Sequence, residues 1–332
     1  MRPPAPIDEF ETIARLFAPL TGGEPGAFGL MDDAAAIPSR PGHDLIVTKD
    51  AMVAGVHFLP DDPLDLVARK LLRVNLSDLA AKAAEPFAYL LAASWPAWCG
   101  WPEREAFARG LAEDQAAYGV RLLGGDTTST PGPLTLSLTA FGWTPEGRMV
   151  RRASARPGDR LLVSGTIGDG FLGLKAARGE LSGLDEAAVA WLADRYRLPS
   201  PRLELREALR GHAGAAADVS DGLVADADHI AEASGAGMTL DLGTLPLSAA
   251  ASDWLARQLD RSTALTALAT GGDDYEVVCT APAASVLALM AEADQAGVAL
   301  TEIGEVIEGR GVRVLFEGQD VTPRARTGWR HG

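Results

Sequence analysis

Short apolar runs in the first half of the chain have the length and alternation of strands. The segment 43–50 (HDLIVTKD) predicts a buried strand, and the alternation that opens 134–143 (LTLSLTAFGW) predicts a half-buried one. The most apolar stretch, 87–101, is short and interrupted by Pro96, so it indicates a core strand followed by a loop and not a membrane span.

Two longer segments between these strands have a helical period. Leucine and alanine recur every three or four residues over 65–86, which predicts a helix that ends at Pro86. The same spacing over 102–119 predicts a second helix that stops at Gly119. Helices and strands are therefore expected to mix within this half of the chain.

The second half begins after a basic turn segment, 150–160, where we place a domain boundary. A strand is predicted at 160–165, and helices at 185–197 and 222–237, the last capped by Gly235. Strands and helices mix in both halves without a strict βαβ rhythm, which indicates an α/β protein of the α+β type in two layers. The expected domains are 1–150 and 151–332.

Composition narrows the range of functions. The chain has 332 residues, of which 47 % are hydrophobic and 23 % charged, as in ordinary globular proteins. A net charge of −15 disfavours nucleic acid as a partner. Two distant cysteines indicate neither a disulfide framework nor a zinc site. Without a signal-peptide or membrane-span pattern, the expected location is the cytoplasm, with no membrane partner.

Aspartates concentrate at strand ends, helix starts and tight turns, often beside glycine or a small hydroxyl residue. Such carboxylates are the ligands that Mg²⁺ prefers, together with water and phosphate oxygens. Asn75 and Asp78 are three residues apart on a predicted helix, so both side chains face the same way. The aspartates in this context are Asp32, Asp33, Asp50, Asp78, Asp126, Asp218, Asp221, Asp273 and Asp274.

Each of these positions also has a plain structural explanation. A single aspartate at a strand end is most often a turn or cap residue, and Asp221 before Gly222 would serve as a helix N-cap. The number of such sites, with few basic residues nearby, favours metal binding. Spacing alone leaves both interpretations open.

Glycine-rich motifs offer one alternative class of protein. Residues 168–173 (GDGFLG) match the G-x-G-x-x-G pattern of dinucleotide-binding proteins. The carboxylate of Asp169 would lie beside the pyrophosphate, and the expected second strand ending in an acid is replaced by a helical segment. The chain contains no G-x-x-x-x-G-K-[ST] phosphate loop and no G-x-S-x-G nucleophile motif.

An ordered set of motifs resembles the thiamine-monophosphate kinase family over nearly the whole chain. G-V-H-F after the Thr-x-Asp strand and a tryptophan near the C-terminus are the more specific members of the set. The motifs are DDAAA (32–36), TKDAMVAGVHF (48–58), VNLSDLAAKAAEP (74–86), GGDTT (124–128), VSGTIGDG (163–170), DVSDGLVAD (218–226), GGDDYEVV (271–278) and GW (328–329).

The resemblance implies a two-domain fold of the aminoimidazole-ribonucleotide-synthetase type, with mixed sheets covered by helices. It implies a homodimer whose N-terminal half forms the dimer and much of the ATP and Mg²⁺ site, the C-terminal half completing the nucleotide and substrate cleft. The implied reaction transfers phosphate from ATP to thiamine monophosphate, with several Mg²⁺ ions. The alternative is another ATP-using enzyme of the same superfamily with a different acceptor. A need for a monovalent cation is left open.

Site residues are carried over from the family one position at a time. The implied metal ligands are Asp33, Thr48, Lys49, Asp50, Asp78, Asp126, Asp218 and Asp221. The implied ATP contacts are Gly125, Asp126, Arg152 and Ser220. The implied substrate contacts are His57, Asp273 and Trp329. The groups expected to act on the transferred phosphate are Asp50, Asp78, Asp126 and Arg152.

Four positions depart from the family pattern. Met31 stands where a glycine is expected, and Lys49 replaces a threonine, so a metal contact there would use the main-chain carbonyl. Ala108 replaces an aromatic residue that lies along the nucleotide in some relatives. Asp273 is one methylene shorter than the common glutamate. These departures concern the fit of nucleotide and substrate more than the reaction.

Overall fold

The structure, a computed structural model, describes residues 9–323. Its chain forms two compact units. The first comprises Met1–Leu79 with Glu85–Gly147, and the second Ala80–Ala84 with Arg148–Gly332. Among the described residues, no helix has both the length and the apolar character needed to span a bilayer.

The first unit is a four-stranded sheet with two long helices on one face. After a short helix α1 and several irregular helical turns up to Leu30, the strands run in the order β1-β4-β2-β3, and only β2 and β3 are parallel. The elements are α1 (Glu9–Thr12), β1 (His43–Val53), α2 (Leu64–Ala81), β2 (Glu85–Pro96), α3 (Trp101–Tyr118), β3 (Arg121–Thr130) and β4 (Thr135–Pro145).

Helices α2 and α3 are joined by a buried ion pair and close backbone packing. The Asp114 carboxylate on α3 is fully buried and accepts hydrogen bonds from Arg69 (2.9 Å) and Arg73 (2.6 Å) of α2. The two arginines compensate the charge that burial would otherwise make costly. Gly110 lies where α3 meets the backbone of Asp65, with no room for a side chain.

The second unit is built on a seven-stranded mixed sheet in the order β11-β10-β7-β9-β5-β8-β6. Its apolar core fills the space between this sheet and its helices. The strands are β5 (Asp159–Ser164), β6 (Ala215–Asp218), β7 (Gly237–Asp241), β8 (Val277–Pro282), β9 (Leu300–Ile307), β10 (Gly311–Phe316) and β11 (Gln319–Asp320). The helices are α4 (Asp169–Ala177), α5 (Glu186–Arg197), α6 (Arg206–His212), α7 (Leu223–Ser234), α8 (Ala249–Ala256), α9 (Arg261–Thr270) and α10 (Val286–Gln295).

Most elements expected from the sequence are confirmed, including the glycine stops. Gly119 and Gly235 adopt left-handed φ values of 72° and 66° directly after α3 and α7. The predicted helix 65–86 is wrong at its end, because α2 stops at Ala81 and Ala83 takes a φ of 57°. Pro86 lies in β2, where the register shifts between Pro86 and Ala88. Proline lacks a ladder donor and is tolerated at such an irregularity.

Gly110→Ala should destabilise the protein by about 1–3 kcal/mol, because the new Cβ would lie 2.1 Å from the Asp65 carbonyl oxygen and force the helices apart. Gly211→Ala in α6 is the matched control. The nearest atom to its new Cβ lies 3.9 Å away, so we expect a gain of about 0.4–1 kcal/mol. Urea unfolding of both variants tests this, and equal effects would contradict the packing.

Candidate active site

Three of the sequence-predicted metal ligands meet between β1 and α2 in the first unit. Thr48 and Asp50 alternate with exposed residues on β1, so both face α2, where the Thr48 hydroxyl donates to Asp78. Asn75, one helical turn before Asp78, accepts the Asp50 backbone N–H at 3.2 Å. The shared helix face expected for Asn75 and Asp78 is confirmed.

The Asp50 carboxylate is in an environment that penalises its own charge. Burial and the neighbouring Asp78 carboxylate raise the pKa of Asp50 from 3.8 to about 7. Two carboxylates beside a hydroxyl form a purely oxygen donor set, which fits a hard divalent cation. A cation there would remove the repulsion that raises this pKa. These residues therefore have the chemistry of a Mg²⁺ site.

Lys49 is placed differently from its two neighbours. Its side chain is exposed, and the alternation of β1 directs it to the face opposite α2. A metal contact by Lys49 would therefore use the main-chain carbonyl, as expected from the sequence.

A second group of acids in the first unit lies around a cavity of about 660 Å³. Asp32, Asp33, Gly125 and Asp126 line it together with apolar residues of the N-terminal segment and of β2 and β4. Gly125 is required in β3, because a Cβ there would lie 1.7 Å from the Leu91 carbonyl oxygen. This cavity has charged and apolar walls, as a site for an organic phosphate needs.

The sheet order separates these two groups of acids within one chain. Asp50 pairs with Leu138 of β4 and Asp126 with Ala92 of β2, while β1 and β3 are the opposite edges of the sheet. Three strand spacings amount to about 14 Å. Asp50 and Asp126 of the same chain are therefore not brought to one metal ion by this sheet.

In the second unit, the segment from Asp218 to Asp221 connects β6 to α7. Asp218 is buried at the end of β6, whereas Ser220 and Asp221 are half-buried. Both backbone N–H groups of Ser220 and Asp221 donate to the buried Asp226 carboxylate at 3.0 Å. Gly222 has a φ of 112° and contacts the backbone of α9. Asp226, and not the candidate N-cap Asp221, therefore holds this turn.

Asp221, Asp226 and His229 offer oxygen and nitrogen atoms that lie within 4.8 Å of one another. Burial and the adjacent Asp221 raise the pKa of Asp226 to about 7, against the opposing effect of the Arg152 charge. Arg152 is exposed and close enough to influence this carboxylate. The structure thus brings Arg152, Ser220 and Asp221 to one region of the second unit.

The GGDDYE segment packs directly against this turn. The Asp273 N–H donates to the Ser220 carbonyl (3.0 Å) and the Tyr275 N–H to the Val219 carbonyl (2.8 Å). Asp273 and Tyr275 have φ values of 70° and 52°, a left-handed conformation that is costly for residues other than glycine. Asp273 and Ser220, predicted to contact different ligands, are thereby neighbours on one rigid support.

Buried carboxylates hold the GGDDYE segment in this conformation. Asp274 is fully buried and accepts the N–H groups of Gly168 and Gly170, each at 2.8 Å. Burial raises its pKa well above the usual range. Glu276, also fully buried, accepts from Ser164 (2.6 Å) and pairs with Arg195 and Arg202.

This arrangement overturns the dinucleotide-binding alternative at 168–173. The N–H groups that a pyrophosphate would need at the start of α4 are already bound to Asp274. The glycines are explained by packing, since a Cβ on Gly170 would lie 2.3 Å from the Asp273 backbone and one on Gly173 2.2 Å from Leu192.

Sequence reasoning missed Asp226, His229 and Glu276 and left Asp274 without a role. A signal existed for Asp226, because an acid in the first turn of a helix is suited to bind the N–H groups before it. For Asp274 and Glu276 the signal was an acid on each side of a tyrosine before an apolar strand. His57 lies in the turn after β1, where its Nδ1 atom accepts the Val53 backbone N–H at 3.1 Å. Trp329 lies outside the described residues.

Comparison with known proteins defines first the class and then the family. Residues 31–144 match the model of the AIR synthase related protein N-terminal domain, and residues 156–317 that of the C-terminal domain. The fold expected from the motifs is confirmed by this match. The chain has 57 % identity to the thiamine-monophosphate kinase of Caulobacter vibrioides, over 99 % of this chain and 92 % of that protein. It belongs to the thiamine-monophosphate kinase family.

Solved structures agree with this assignment. The thiamine-monophosphate kinase of Stenotrophomonas maltophilia superposes with a TM-score of 0.78 at 39 % identity, covering 87 % of this chain and 90 % of that one. AaThiL in complex with AMPPCP and TMP gives 0.77 at 29 % identity, covering 93 % and 98 %. E. coli HypE, a hydrogenase maturation protein, gives 0.75 at 22 % identity over 95 % and 98 %, which shows the shared fold alone.

Asp50→Asn should raise the melting temperature of the metal-free protein at pH 8, because it removes a charge that burial and Asp78 disfavour. The raised pKa means that Asp50 destabilises the wild type increasingly as pH rises from about 4 to about 7. The advantage of the variant should therefore shrink as pH falls from 8 towards 4.

Thermal melts in chelator measure the stability of the metal-free proteins, and melts in Mg²⁺ with ATP measure how much the metal stabilises each of them. Mg²⁺ should stabilise the wild type and stabilise Asp50→Asn much less. Asp61→Asn, at an exposed loop position, is the control and should behave as the wild type. A variant that is less stable than the wild type at pH 8 in chelator would contradict the assigned environment of Asp50.

Proposed function

We propose that this chain phosphorylates thiamine monophosphate with ATP, giving thiamine diphosphate and ADP, as a step of thiamine diphosphate biosynthesis. The observation that carries the proposal is the 57 % identity to a thiamine-monophosphate kinase over nearly the full length of both chains. A relative solved with AMPPCP and TMP, similar over 93 % of this chain, supports both substrates.

The reaction needs little covalent help from the protein. A phosphate oxygen of thiamine monophosphate, already ionised at neutral pH, attacks the γ-phosphorus. The bond from that phosphorus to the β–γ bridging oxygen breaks, and ADP leaves with the electron pair. The main barrier is the approach of two polyanions, so positioning and charge neutralisation dominate the catalysis. Mg²⁺ held by the carboxylates of the candidate site would supply that neutralisation.

Different residues are proposed for metal binding, for ATP binding and for substrate binding. In the first unit, Thr48, Asp50 and Asp78 would hold metal through oxygen atoms, with the Lys49 carbonyl beside them. Asp33, Gly125 and Asp126 offer further carboxylates and a close backbone approach at the cavity. In the second unit, Asp218 and Asp221 would hold metal, and Arg152 and Ser220 would contact ATP. His57 and Asp273 are the proposed substrate contacts among the described residues, and Trp329, which lies outside them, is proposed as a third. Arg152 would add a charge-assisted hydrogen bond to phosphate.

Incubation with ATP, Mg²⁺ and thiamine monophosphate, followed by chromatographic product analysis, tests the function. We expect equal amounts of thiamine diphosphate and ADP, both abolished by chelator. Thiamine without its phosphate is the matched control and should give no product, because the acceptor is a phosphate oxygen. ATP binding without any thiamine diphosphate would refute the proposed acceptor. Replacing K⁺ by Na⁺ in the same assay tests for a monovalent cation.

Asp78→Asn should lower turnover at least about 10²-fold, the scale of losing one strong electrostatic contact to the transition state. Asp78 lies beside Thr48 and Asp50, so the loss should be accompanied by a higher Mg²⁺ requirement. Steady-state rates across a Mg²⁺ titration measure this, with Asp61→Asn as control. Normal activity of Asp78→Asn at limiting Mg²⁺ would contradict the metal role.

We also propose that the chain acts as a homodimer. The face of β1 opposite α2 carries Leu45 and Val47, which are 38 % and 54 % exposed. The sheet order holds Asp50 and Asp126 about 14 Å apart within one chain. If one metal ion contacts both residues, Asp126 must come from a second copy.

Mixing two inactive variants tests this shared site. Asp50→Asn and Asp126→Asn should each be inactive as homodimers, whereas a mixed dimer combines both lesions in one site and leaves the other intact. After co-refolding at equal amounts, about a quarter of the sites should recover activity, since half of the dimers are mixed. No recovery in a mixture shown by light scattering to be dimeric would refute the shared site.

A further inference from the structure

The backbone that leads to Arg152 is bound to other parts of the second unit. The Ala216 N–H of β6 donates to the Arg151 carbonyl at 3.2 Å, and the Val150 N–H donates to the Lys82 carbonyl at 3.3 Å. Because β6 is the outermost strand of the seven-stranded sheet, its edge is available for this contact. Arg152 therefore follows two residues whose positions are already fixed.

A side chain from α7 closes the turn that begins at Arg152. The Ser234 hydroxyl donates to the Arg152 carbonyl at 2.9 Å and accepts the Ala155 N–H at 3.1 Å. Arg152 and Ala155 are the first and fourth residues of this turn, and in an ordinary β-turn the carbonyl of the first pairs directly with the N–H of the fourth. Here the Ser234 Oγ atom is bonded to both groups and joins them.

The Ala155 end of this hydroxyl bridge is buried. Ala155 is 5 % exposed and belongs to the apolar core of the second unit, and Ser234, the last residue of α7, is half-buried. A buried N–H that loses its acceptor costs more than an average hydrogen bond contributes. The bridge therefore favours one conformation of the turn, and with it one direction in which the Arg152 side chain leaves the backbone.

Helix α7 connects this bridge to the turn at Asp221. Asp226, Ile230 and Ser234 are spaced by four residues, so they lie along one stripe of α7 that rises by about 12 Å. Burial and Asp221 raise the pKa of Asp226, and the Arg152 charge opposes them, although the Arg152 backbone is bound at the Ser234 end of the stripe. The exposed Arg152 side chain therefore extends along α7 towards the turn that Asp226 holds.

We propose that Ser234 is a positioning residue, which fixes the Arg152 backbone so that the guanidinium meets a phosphate of ATP. Ser234 itself contacts no substrate and acts through Arg152 alone. An arginine that is directed in advance loses less conformational freedom when the nucleotide binds. The inference rests on the proposed function for the contact between Arg152 and ATP, whereas the hydroxyl bridge is a feature of the fold.

Calorimetric titration of the full-length protein with ATP in Mg²⁺ tests this role. Arg152→Ala should weaken ATP binding about 10-fold or more, the scale of losing a charge-assisted hydrogen bond. Ser234→Ala should weaken it about 5-fold, because the arginine must then be ordered on binding. Ser234→Thr keeps the hydroxyl and should restore the affinity. A folded Ser234→Ala with the affinity of the wild type would overturn the proposal.

The matched control removes a hydroxyl from a different helix of the second unit. Ser252 is exposed on α8, where its side chain makes none of the contacts described for Ser234. Ser252→Ala should bind ATP as the wild type does. A loss of affinity equal to that of Ser234→Ala would show that the effect is not specific to the bridge and would overturn the proposal.

A double variant separates positioning from a general structural role. In an Arg152→Ala background, Ser234→Ala should cause no further loss of ATP affinity, because no guanidinium remains to be positioned. It should still lower the melting temperature, since the residue 152 carbonyl and the Ala155 N–H lose their partner in either background. An equal loss of ATP affinity in both backgrounds would show that Ser234 acts independently of Arg152 and would overturn the proposal.

Steady-state kinetics provide a second measurement. Ser234→Ala should raise the KM for ATP about 5-fold and leave the KM for thiamine monophosphate unchanged, because only the nucleotide contact depends on the bridge. Comparable increases in both constants would indicate a general distortion of the site and would overturn the positioning role.

These results separate the inference from the proposed function. ATP binding that depends on Ser234 and Arg152, in a protein that makes no thiamine diphosphate, would refute the reaction and support the inference. Thiamine diphosphate synthesis with unchanged ATP affinity in Ser234→Ala would refute the inference and leave the reaction standing. If Arg152→Ala binds ATP as the wild type does, both the proposed ATP contact and the inference are refuted.

Discussion

Buried carboxylates that accept hydrogen bonds hold the loops at the candidate site of the second unit, and the rest of that site depends on them. Asp226 binds the N–H groups of Ser220 and Asp221, and Asp274 binds those of Gly168 and Gly170. Without Asp274, the backbone donors of Gly168 and Gly170 would be buried unpaired, which costs more than an average hydrogen bond contributes. The loops therefore have one favoured arrangement.

The first unit applies the opposite principle at Asp50. Its carboxylate is buried beside that of Asp78, and both effects disfavour its charge. The neighbouring Asn75 amide oxygen accepts the Asp50 backbone N–H and adds no positive charge. A cation held by both carboxylates would offset the free energy that is lost by placing two acids side by side. The geometry that causes charge repulsion in the metal-free protein is therefore also the geometry that would favour a bound Mg²⁺ ion, as proposed above.

Strain and charge occur together in the GGDDYE segment. Asp273 and Tyr275 adopt left-handed conformations, while Asp274 and Glu276 are fixed by buried partners. Strained residues persist only where the surrounding contacts determine them fully, and such places are often binding sites. Because the Asp273 N–H donates to the Ser220 carbonyl, a displacement of either backbone would also displace the other.

The sequence by itself determined the family, the mixed α/β class, most helices and strands, and the clustering of aspartates. These features are local or depend on motif order, and the glycine stops at Gly119 and Gly235 show that local rules were sufficient there. Only the tertiary structure decided that α2 ends at Ala81, that β1 and β3 are opposite edges, and that Asp274 occupies the N–H groups of the glycine-rich turn. Each of these depends on residues far apart in sequence, whose pairing is set by sheet order and burial and leaves no local pattern.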